Sequence, residues 1–294
     1  MVRQARSTST ARNPNFTELA RSKGQGNVAW GARAAVEMRA DAGPDEWTYI
    51  ALLGGSDTLS FRLRVAQSHL RRDMLPSYWS EAILVQLNSA TLKGAQAVYV
   101  PLAQPGGSAY SPHENGVVSG PLSAFDDSDR YPNIALIALP VPQQKIMARV
   151  EAFRRSRSSL DALEHVLRWL AFAWGVARTG NPLHENYGLP SACMLETVCA
   201  AEDFELTPGL ESRASCPEAI WASAIYWHDY FGKTGERKVP FGRYAIGHEY
   251  PIVEPNPSPQ PSAPADAAGS QGSTDRKKMG KAKKGAAQGR RSTS

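Results

Sequence analysis

The chain has 294 residues, of which 42% are hydrophobic, and it carries a formal net charge of +5. This length and apolar content are typical of a protein that buries one sizeable core or two small ones. Residues 275–294 hold eight Lys or Arg and one Asp, a charge of +7, which leaves about −2 for the rest of the chain. The folded part is therefore not a basic domain of the kind that reads DNA.

The cysteines and the apolar runs indicate a reduced, cytoplasmic protein. The three cysteines form no CxxC pair, and their odd number favours free thiols. The longest apolar run, residues 169–177, is far shorter than the roughly 20 residues needed to cross a bilayer. The first residues lack the apolar core of a secretory signal. We therefore expect no membrane span and a cytoplasmic location.

The first half of the chain alternates between predicted strands and one helix. Residues 1–45 are polar and rich in Arg, and we predict a disordered or weakly structured arm with one short amphipathic segment near GARAAVEMRA. A buried strand, TYIALLG, ends at Gly54-Gly55, and residues 57–74 carry apolar side chains at helical spacing. Three further strands are predicted, at residues 78–87, 97–103 and 130–141.

The second half is predicted to be mainly helical. One amphipathic helix spans residues 143–156, and a second spans residues 160–177. Two more helices begin at Ser191 and at Pro217. The predicted buried stripe of the second helix consists of Leu163, Leu167, Leu170 and Trp174.

These segments predict one folded domain with an extension at each end. A last strand, residues 243–253, closes the domain. Residues 254–294 form a Pro/Ser/Ala linker and a basic tail, which cannot bury enough apolar surface to fold. The pattern therefore predicts an α+β domain at residues 46–253.

The order of the segments resembles that of the circularly permuted papain-like hydrolases, the group of bacterial amidases and lecithin-retinol-acyltransferase-like proteins. The likeness rests on PSYWSEAILV, on NGVVSGPLSAF before a strand, and on a helix with ACMLETVCAAEDFELTPG followed by CPEAIW. It covers roughly residues 46–232. The resemblance implies a permuted papain-like fold, with a small, mostly antiparallel sheet packed against several helices.

The family's catalytic histidine has no counterpart in this chain. It belongs to a motif that reads SHVGI or SHAGI, and it falls on Glu81 in the sequence SEAI. A carboxylate with an ordinary pKa of about 4.3 is a weak base, and its negative charge opposes an alkoxide nearby. The resemblance therefore implies that the base is lost.

The family's nucleophilic cysteine, in the motif CSELV, falls on Ser191 when the apolar positions are aligned. Residues 194–195 then take core positions, whereas a register that places Cys193 there puts Glu and Thr, residues 196–197, into the core. A serine hydroxyl is far less acidic than a thiol and needs a positioned base. We predict that Ser191 caps its helix and that the protein is a pseudoenzyme.

An active cysteine hydrolase or acyltransferase is the alternative, with Cys193 and a displaced histidine as the catalytic pair. Cys193 lies in the first turn of its predicted helix, where the dipole favours a thiolate. His69 is the nearest upstream histidine. Against this, a buried free cysteine usually packs as a small apolar residue, and the charged residues 71–73 place His69 at a solvated helix end. Cys199 is predicted to lie in the core.

The other histidines do not form a metal-binding pattern. His165 and His228 lie in helices rich in Trp and Leu, and we expect them to bond to local carboxylates or to the backbone. The tripeptide HEN occurs at His113 and at His184, but repeated tripeptides arise by chance in a chain of this length. Neither has the i, i+4 partner of a helical zinc site. We predict no metal and no cofactor.

The residues leave three functions open. The first is a non-catalytic papain-like domain that binds a peptide, glycan or protein partner. The second is the enzyme that uses Cys193 and His69. The third is a nucleic-acid-associated protein whose basic tail, residues 276–291, binds anionic partners without specificity, since the tail has no aromatic residues for base stacking.

Overall fold

A mixed β-sheet forms the centre of the protein. The computed structural model describes residues 16–39, 46–87, 92, 94–102, 111–156, 161–231 and 239–247. Contacts divide the chain after Pro255, and all the described residues lie in the first part. The strands are β1 (Phe16–Glu18), β2 (Thr48–Gly54), β3 (Glu81–Gln86), β4 (Gln96–Tyr99), β5 (Val118–Pro121), β6 (Asn133–Leu139) and β7 (Phe241–Ile246). The helices are α1 (Asn27–Arg39), α2 (Thr58–Ala66), α3 (Gln143–Arg155), α4 (Ala162–Trp174), α5 (Pro190–Ala200) and α6 (Pro217–Phe231).

The strand order across the sheet is β1-β7-β6-β2-β3-β4-β5. The pair β1–β7 is parallel, and the other described pairs are antiparallel. The prediction of an α+β fold is therefore confirmed. The described residues contribute seven strands to the sheet, which is therefore larger than the small sheet that was expected.

Both faces of the sheet are covered by helices. The central strands β2 and β6 are buried at every residue, which is the pattern of strands covered on both sides. On one face, Leu52 and Ala82 pack in the core formed with helices α2 to α6. On the other, Leu53 and Ile83 pack in the core that α1 covers.

The predicted arm at residues 1–45 is wrong for residues 16–39, which belong to the fold. Strand β1 extends the sheet beside β7, and α1 lies on the second sheet face. Trp30 and Ala34 of α1 are fully buried, and the Trp30 indole donates to the carbonyl of Leu19 at 2.7 Å. The small alanines of α1 allow close packing on the sheet, although the helix also carries charged side chains.

Helix α4 buries a different side from the predicted one. Leu163, Leu167 and Trp174 are 39%, 57% and 70% exposed, and Leu170 is partly buried. The residues on the buried side are Ala162, His165, Val166, Trp169 and Ala173. The prediction placed three leucines and Trp174 inside, whereas the buried side, which packs against α2 and α5, holds smaller or polar residues and one indole that has a hydrogen-bond partner.

Several element ends also differ from the predictions. Helix α2 begins after Asp57, whose carboxylate accepts from the Ser60 amide at 2.9 Å, as preferred N-caps do. It ends at Ala66, and Leu70 lies in a following 3₁₀ turn, Ser68–Leu70. The last strand was predicted at residues 243–253, but β7 begins earlier, and residues 248–294, with the predicted linker and tail, lie outside the described residues.

Candidate functional site

Ser191 joins helix α5 to the end of strand β4. Its Oγ donates to the Val100 carbonyl at 3.0 Å and accepts from the Val100 amide at 3.1 Å. The predicted N-cap role is wrong, because the N-cap is Leu189, which makes no side-chain cap bond, and Ser191 lies inside the first turn behind Pro190. The helix begins with proline in a position where its missing N–H has no cost.

Glu81, the first residue of β3, lies beside Ser191. Its Oε1 accepts from the Ala82 amide at 3.0 Å. Burial raises the pKa of Glu81 to about 7, and the neighbouring Ser191 hydroxyl and the Ala82 amide, which donates to the carboxylate, oppose this rise. The carboxyl group also helps to raise the pKa of Tyr99 and Tyr131, which burial raises most. The structure thus brings together the two positions that the family resemblance singled out.

The Ser191–Glu81 pair has little capacity for nucleophilic chemistry. The serine has one hydroxyl proton, and its partners are a backbone peptide and a carboxyl group. Neither partner is an imidazole that could take that proton at neutral pH and remain oriented. The two side chains instead form hydrogen bonds with the Ala82 amide and with the amide and carbonyl of Val100, where the β3–β4 ladder ends. Buried backbone groups need such partners.

The thiol of Cys193 is enclosed by backbone. The residue is fully buried, and its one thiol proton lies within reach of two carbonyl oxygens, that of Arg213 at 3.1 Å and that of Ser215 at 3.5 Å from Sγ. A Cβ added at Gly188 would come within 2.6 Å of the sulfur, so the chain passes directly over it. Burial raises the pKa of Cys193 well above its usual range, and the thiol is protonated at neutral pH.

The imidazole nearest this sulfur belongs to His165 of α4. Its Nδ1 lies 3.9 Å from Cys193 Sγ and 3.0 Å from the carbonyl oxygen of Gly188. A carbonyl can only accept, so Nδ1 carries the proton and donates it to Gly188. The nitrogen that faces the sulfur therefore has no lone pair with which to take a thiol proton. The sequence reasoning placed this histidine against a carboxylate or the backbone, and it missed the proximity to Cys193.

Tyr187 covers the buried Cys193–His165 pair. Its ring lies 5.2 Å from the His165 ring, and the guanidinium groups of Arg168 and Arg213 lie 3.8 and 4.5 Å from its centroid. Its hydroxyl donates to Glu164 at 2.7 Å. Cation–π contacts of this kind stabilise a ring by about 0.5–2 kcal/mol each, so Tyr187 forms a fixed cover. No sequence motif marks this arrangement, since the residues come from three segments.

His69 lies away from Cys193. It is exposed, its Nδ1 lies 3.1 Å from the carbonyl oxygen of Ala66, and its ring packs against that of His184. The structure therefore brings His165, not His69, to the sulfur. Cys199 is fully buried, as predicted, and so is Cys216. Burial raises the pKa of the Cys199 thiol and raises that of Cys216 to about 12.

The two HEN tripeptides form the same kind of turn. His113 and His184 each lie in a 3₁₀ turn that begins with a proline and ends at an asparagine with positive φ, 50° at Asn115 and 59° at Asn186. Asparagine tolerates this left-handed conformation better than most residues. Among the described residues, no group of three or more His, Cys, Asp or Glu is placed to hold a metal ion.

None of the described helices is both long enough and apolar enough to span a bilayer. Comparison of the chain with protein-family models, curated proteins and solved structures gave no match.

Proposed function

We propose that this protein is a non-catalytic domain of the papain-like lineage and that it works by binding another protein. The observation that supports this proposal best is the enclosure of Cys193, whose buried thiol lies within hydrogen-bond reach of two backbone carbonyls. A protonated, solvent-inaccessible thiol does not attack a substrate. Ser191 supplies no alternative nucleophile, because it bonds to the Val100 peptide and meets a carboxyl group.

Iodoacetamide labelling of the native chain at neutral pH tests this proposal. We expect Cys193 to react no faster than Cys199 or Cys216, and all three to react far more slowly than in the urea-unfolded chain, which serves as the control. Digestion and mass spectrometry give the labelled fraction at each cysteine. Rapid labelling of native Cys193 alone would contradict the proposal.

A cysteine hydrolase or acyltransferase is a second candidate, and the 3.9 Å separation of Cys193 Sγ and His165 Nδ1 favours it. Catalysis by this pair requires Tyr187 and Gly188 to move away from the sulfur. It also requires the hydrogen bond between His165 Nδ1 and the Gly188 carbonyl to break. The same labelling experiment distinguishes the two candidates. In an enzyme, His165→Gln would slow the labelling of Cys193 by raising the fraction of protonated thiol, whereas in a closed domain it would not slow it.

Helix α4 offers the face through which the proposed binding occurs. Its outward residues Leu163, Leu167 and Trp174 are well exposed, and with the partly buried Leu170 they follow the 4-3-4 spacing of helices that pack on helices. Contiguous exposed apolar residues of this kind mark interaction surfaces in soluble proteins. The occupant that we propose is α4 of a second copy of this chain.

The spacing of the stripe supports a second copy as the occupant. In an antiparallel pair of helices with its twofold axis level with residues 166–167, Leu163 faces Leu170 of the second copy, and Leu167 lies next to the axis. The surface is thus self-complementary, as an isologous dimer requires.

Sedimentation velocity over a wide concentration range tests the α4 surface. A 13-residue helix is about 20 Å long, which gives less contact than the about 800 Å² per partner of stable complexes, so we expect a weak, reversible dimer. Leu167→Glu should shift it to monomer, whereas Val36→Glu should not, because Val36 is a comparably exposed residue of α1 (67%). A wild-type chain that stays monomeric would exclude the second copy as occupant but not the non-catalytic assignment.

The basic tail, residues 276–291, lies outside the described residues, and we propose that it tethers the domain to anionic partners. Its eight Lys and Arg would act by counterion release, which predicts binding that weakens steeply as salt rises. Gel-shift assays with an unspecific DNA duplex test this. Deleting residues 254–294 should abolish the binding, and binding that survives the deletion would contradict the proposal.

A further inference from the structure

His69 and His184 meet at the surface although they are distant in sequence. Their ring centroids are 4.9 Å apart, and the rings meet edge to face at 72°. His69 belongs to the 3₁₀ turn after α2, and His184 to the turn Pro182–Glu185 that follows α4. Both residues are exposed, so the pair is accessible to an ion from solvent.

The hydrogen bond of His69 sets its tautomer. Its Nδ1 lies 3.1 Å from the carbonyl oxygen of Ala66, and because a carbonyl only accepts, Nδ1 carries the proton. The lone pair is then on Nε2. Histidines that bind metals use this arrangement, in which one ring nitrogen donates to a carbonyl or carboxylate and the other binds the metal.

The two turns that carry these histidines are joined at the carbonyl of Ala66, which also accepts from His69. The Asn181 side chain donates to Ala66 O at 2.7 Å and accepts from the Leu183 amide at 3.1 Å. Asn181 therefore caps the turn of His184 and fixes it to the end of α2. Two ligands held in this way lose less conformational freedom when they bind a shared ion.

We propose that His69 and His184 form a two-histidine site for a divalent first-row transition metal such as Zn²⁺. Imidazole nitrogen suits these metals. A tetrahedral zinc with Zn–N bonds of about 2.0–2.1 Å holds two such nitrogens about 3.3 Å apart, and ring centroids at 4.9 Å allow that separation. Two protein ligands leave the other positions to water, so the site binds metal reversibly and does not resemble a closed structural zinc site.

Titration of the full, untagged chain with Zn²⁺ alone, followed by calorimetry, tests the site. We expect one zinc per chain and a loss of affinity of about tenfold or more in both His69→Ala and His184→Ala. The double variant should bind no more weakly than either single variant, because each removes the same site. His113→Ala is the matched control, since His113 has the same tripeptide in the same kind of turn, and it should bind as the wild type does.

Thermal unfolding gives a second readout. Zinc that bridges the two turns stabilises the folded chain, so Zn²⁺ should raise the melting temperature of the wild type and of His113→Ala, but not that of His184→Gln. Circular dichroism without metal shows whether each variant is folded. Unchanged zinc affinity in both single variants, an equal loss in His113→Ala, or no saturable binding by the wild type would each overturn the proposal.

Discussion

Ser191 and Glu81 bond to the backbone at the place where strands β3 and β4 separate. Leu84 pairs with Val98, so Ala82 and Val100 lie opposite each other two positions beyond the last pair of this ladder. The Glu81 carboxyl group accepts from Ala82, and the Ser191 hydroxyl bonds both polar groups of Val100. The side chains at these two positions therefore stabilise the sheet end and the start of α5.

The raised pKa of Glu81 makes stability depend on pH. Since the folded-state pKa is about 7 and the ordinary value is 4.5, the folded chain binds more protons than the unfolded chain between these values. The free energy of unfolding then falls as pH rises through this window. Glu81→Gln removes the charge, and we expect it to stabilise the protein at pH 8 by on the order of 1–3 kcal/mol, with little effect at pH 4.5.

Urea denaturation across this pH range measures the difference. Burial also raises the pKa of Glu196 and Glu218. Because the wild type and Glu81→Gln both contain these two residues, the difference between their stability profiles reports on Glu81. The exposed Glu211→Gln is the control for removing one negative charge. Parallel stability profiles of Glu81→Gln and the wild type from pH 4.5 to 8 would show that the carboxyl group is not desolvated.

At the scale of single elements, two glycines differ in the space around them. A Cβ at Gly31, in the middle of α1, would make an ordinary contact of 3.5 Å with Leu92, whereas a Cβ at Gly54, the last residue of β2, would come within 2.0 Å of the Tyr78 carbonyl. Gly31 also lines a small apolar pocket between α1 and the sheet. Alanine is a better helix former than glycine by about 1 kcal/mol.

We therefore expect opposite effects from the same substitution at these two glycines. Gly31→Ala should stabilise the protein by about 0.5–1 kcal/mol, and Gly54→Ala should destabilise it by about 1–3 kcal/mol or more, since the backbone itself blocks the new methyl group. Thermal and urea unfolding of both variants provide the measurement. A stabilising Gly54→Ala would mean that β2 and the chain at Tyr78 lie farther apart than described.

The elements show what the sequence could and could not predict. The apolar runs of β2 and β6 are long and uninterrupted, and their prediction as strands was close to the observed bounds. Periodicity found helix α4 but chose the wrong face, because the side that is buried combines alanines and a histidine with one valine and one tryptophan, which is a weaker apolar pattern than the leucines of the exposed side. An exposed stripe of large apolar residues has the same pattern as a buried one.

At the scale of the molecule, the N-terminal residues complete the sheet. Helix α1 covers one sheet face, and its core includes Trp30, Ala34 and Met38. The sequence reasoning missed this role, since Arg-rich composition outweighed a short pattern of small apolar residues that become buried only against a partner surface. The proximity of His165 to Cys193 was likewise not predictable, because it depends on how α4 and α5 pack.

Shortening the chain to residues 46–294 tests whether residues 16–39 are needed to complete and cover the sheet. Removal of α1 would expose the apolar sheet face around Leu53 and Ile83. We expect the shortened chain to bind the dye ANS strongly and to lose near-ultraviolet circular dichroism, as proteins with exposed cores do. Deletion of residues 1–15, outside the described part, is the control. A shortened chain with native spectra and cooperative unfolding would mean that residues 16–39 are an arm after all.

The peptide at Gly188 limits how this protein could change during evolution. Its carbonyl accepts from both His165 and Trp169, its amide donates to Arg213, and its Cα leaves no room for a side chain above Cys193. Freeing the thiol would require the imidazole to release its proton, the overlying chain to shift and Tyr187 to leave its two arginines. Since no single substitution does all three, a chain with this arrangement would not gain a reactive sulfur in one mutational step.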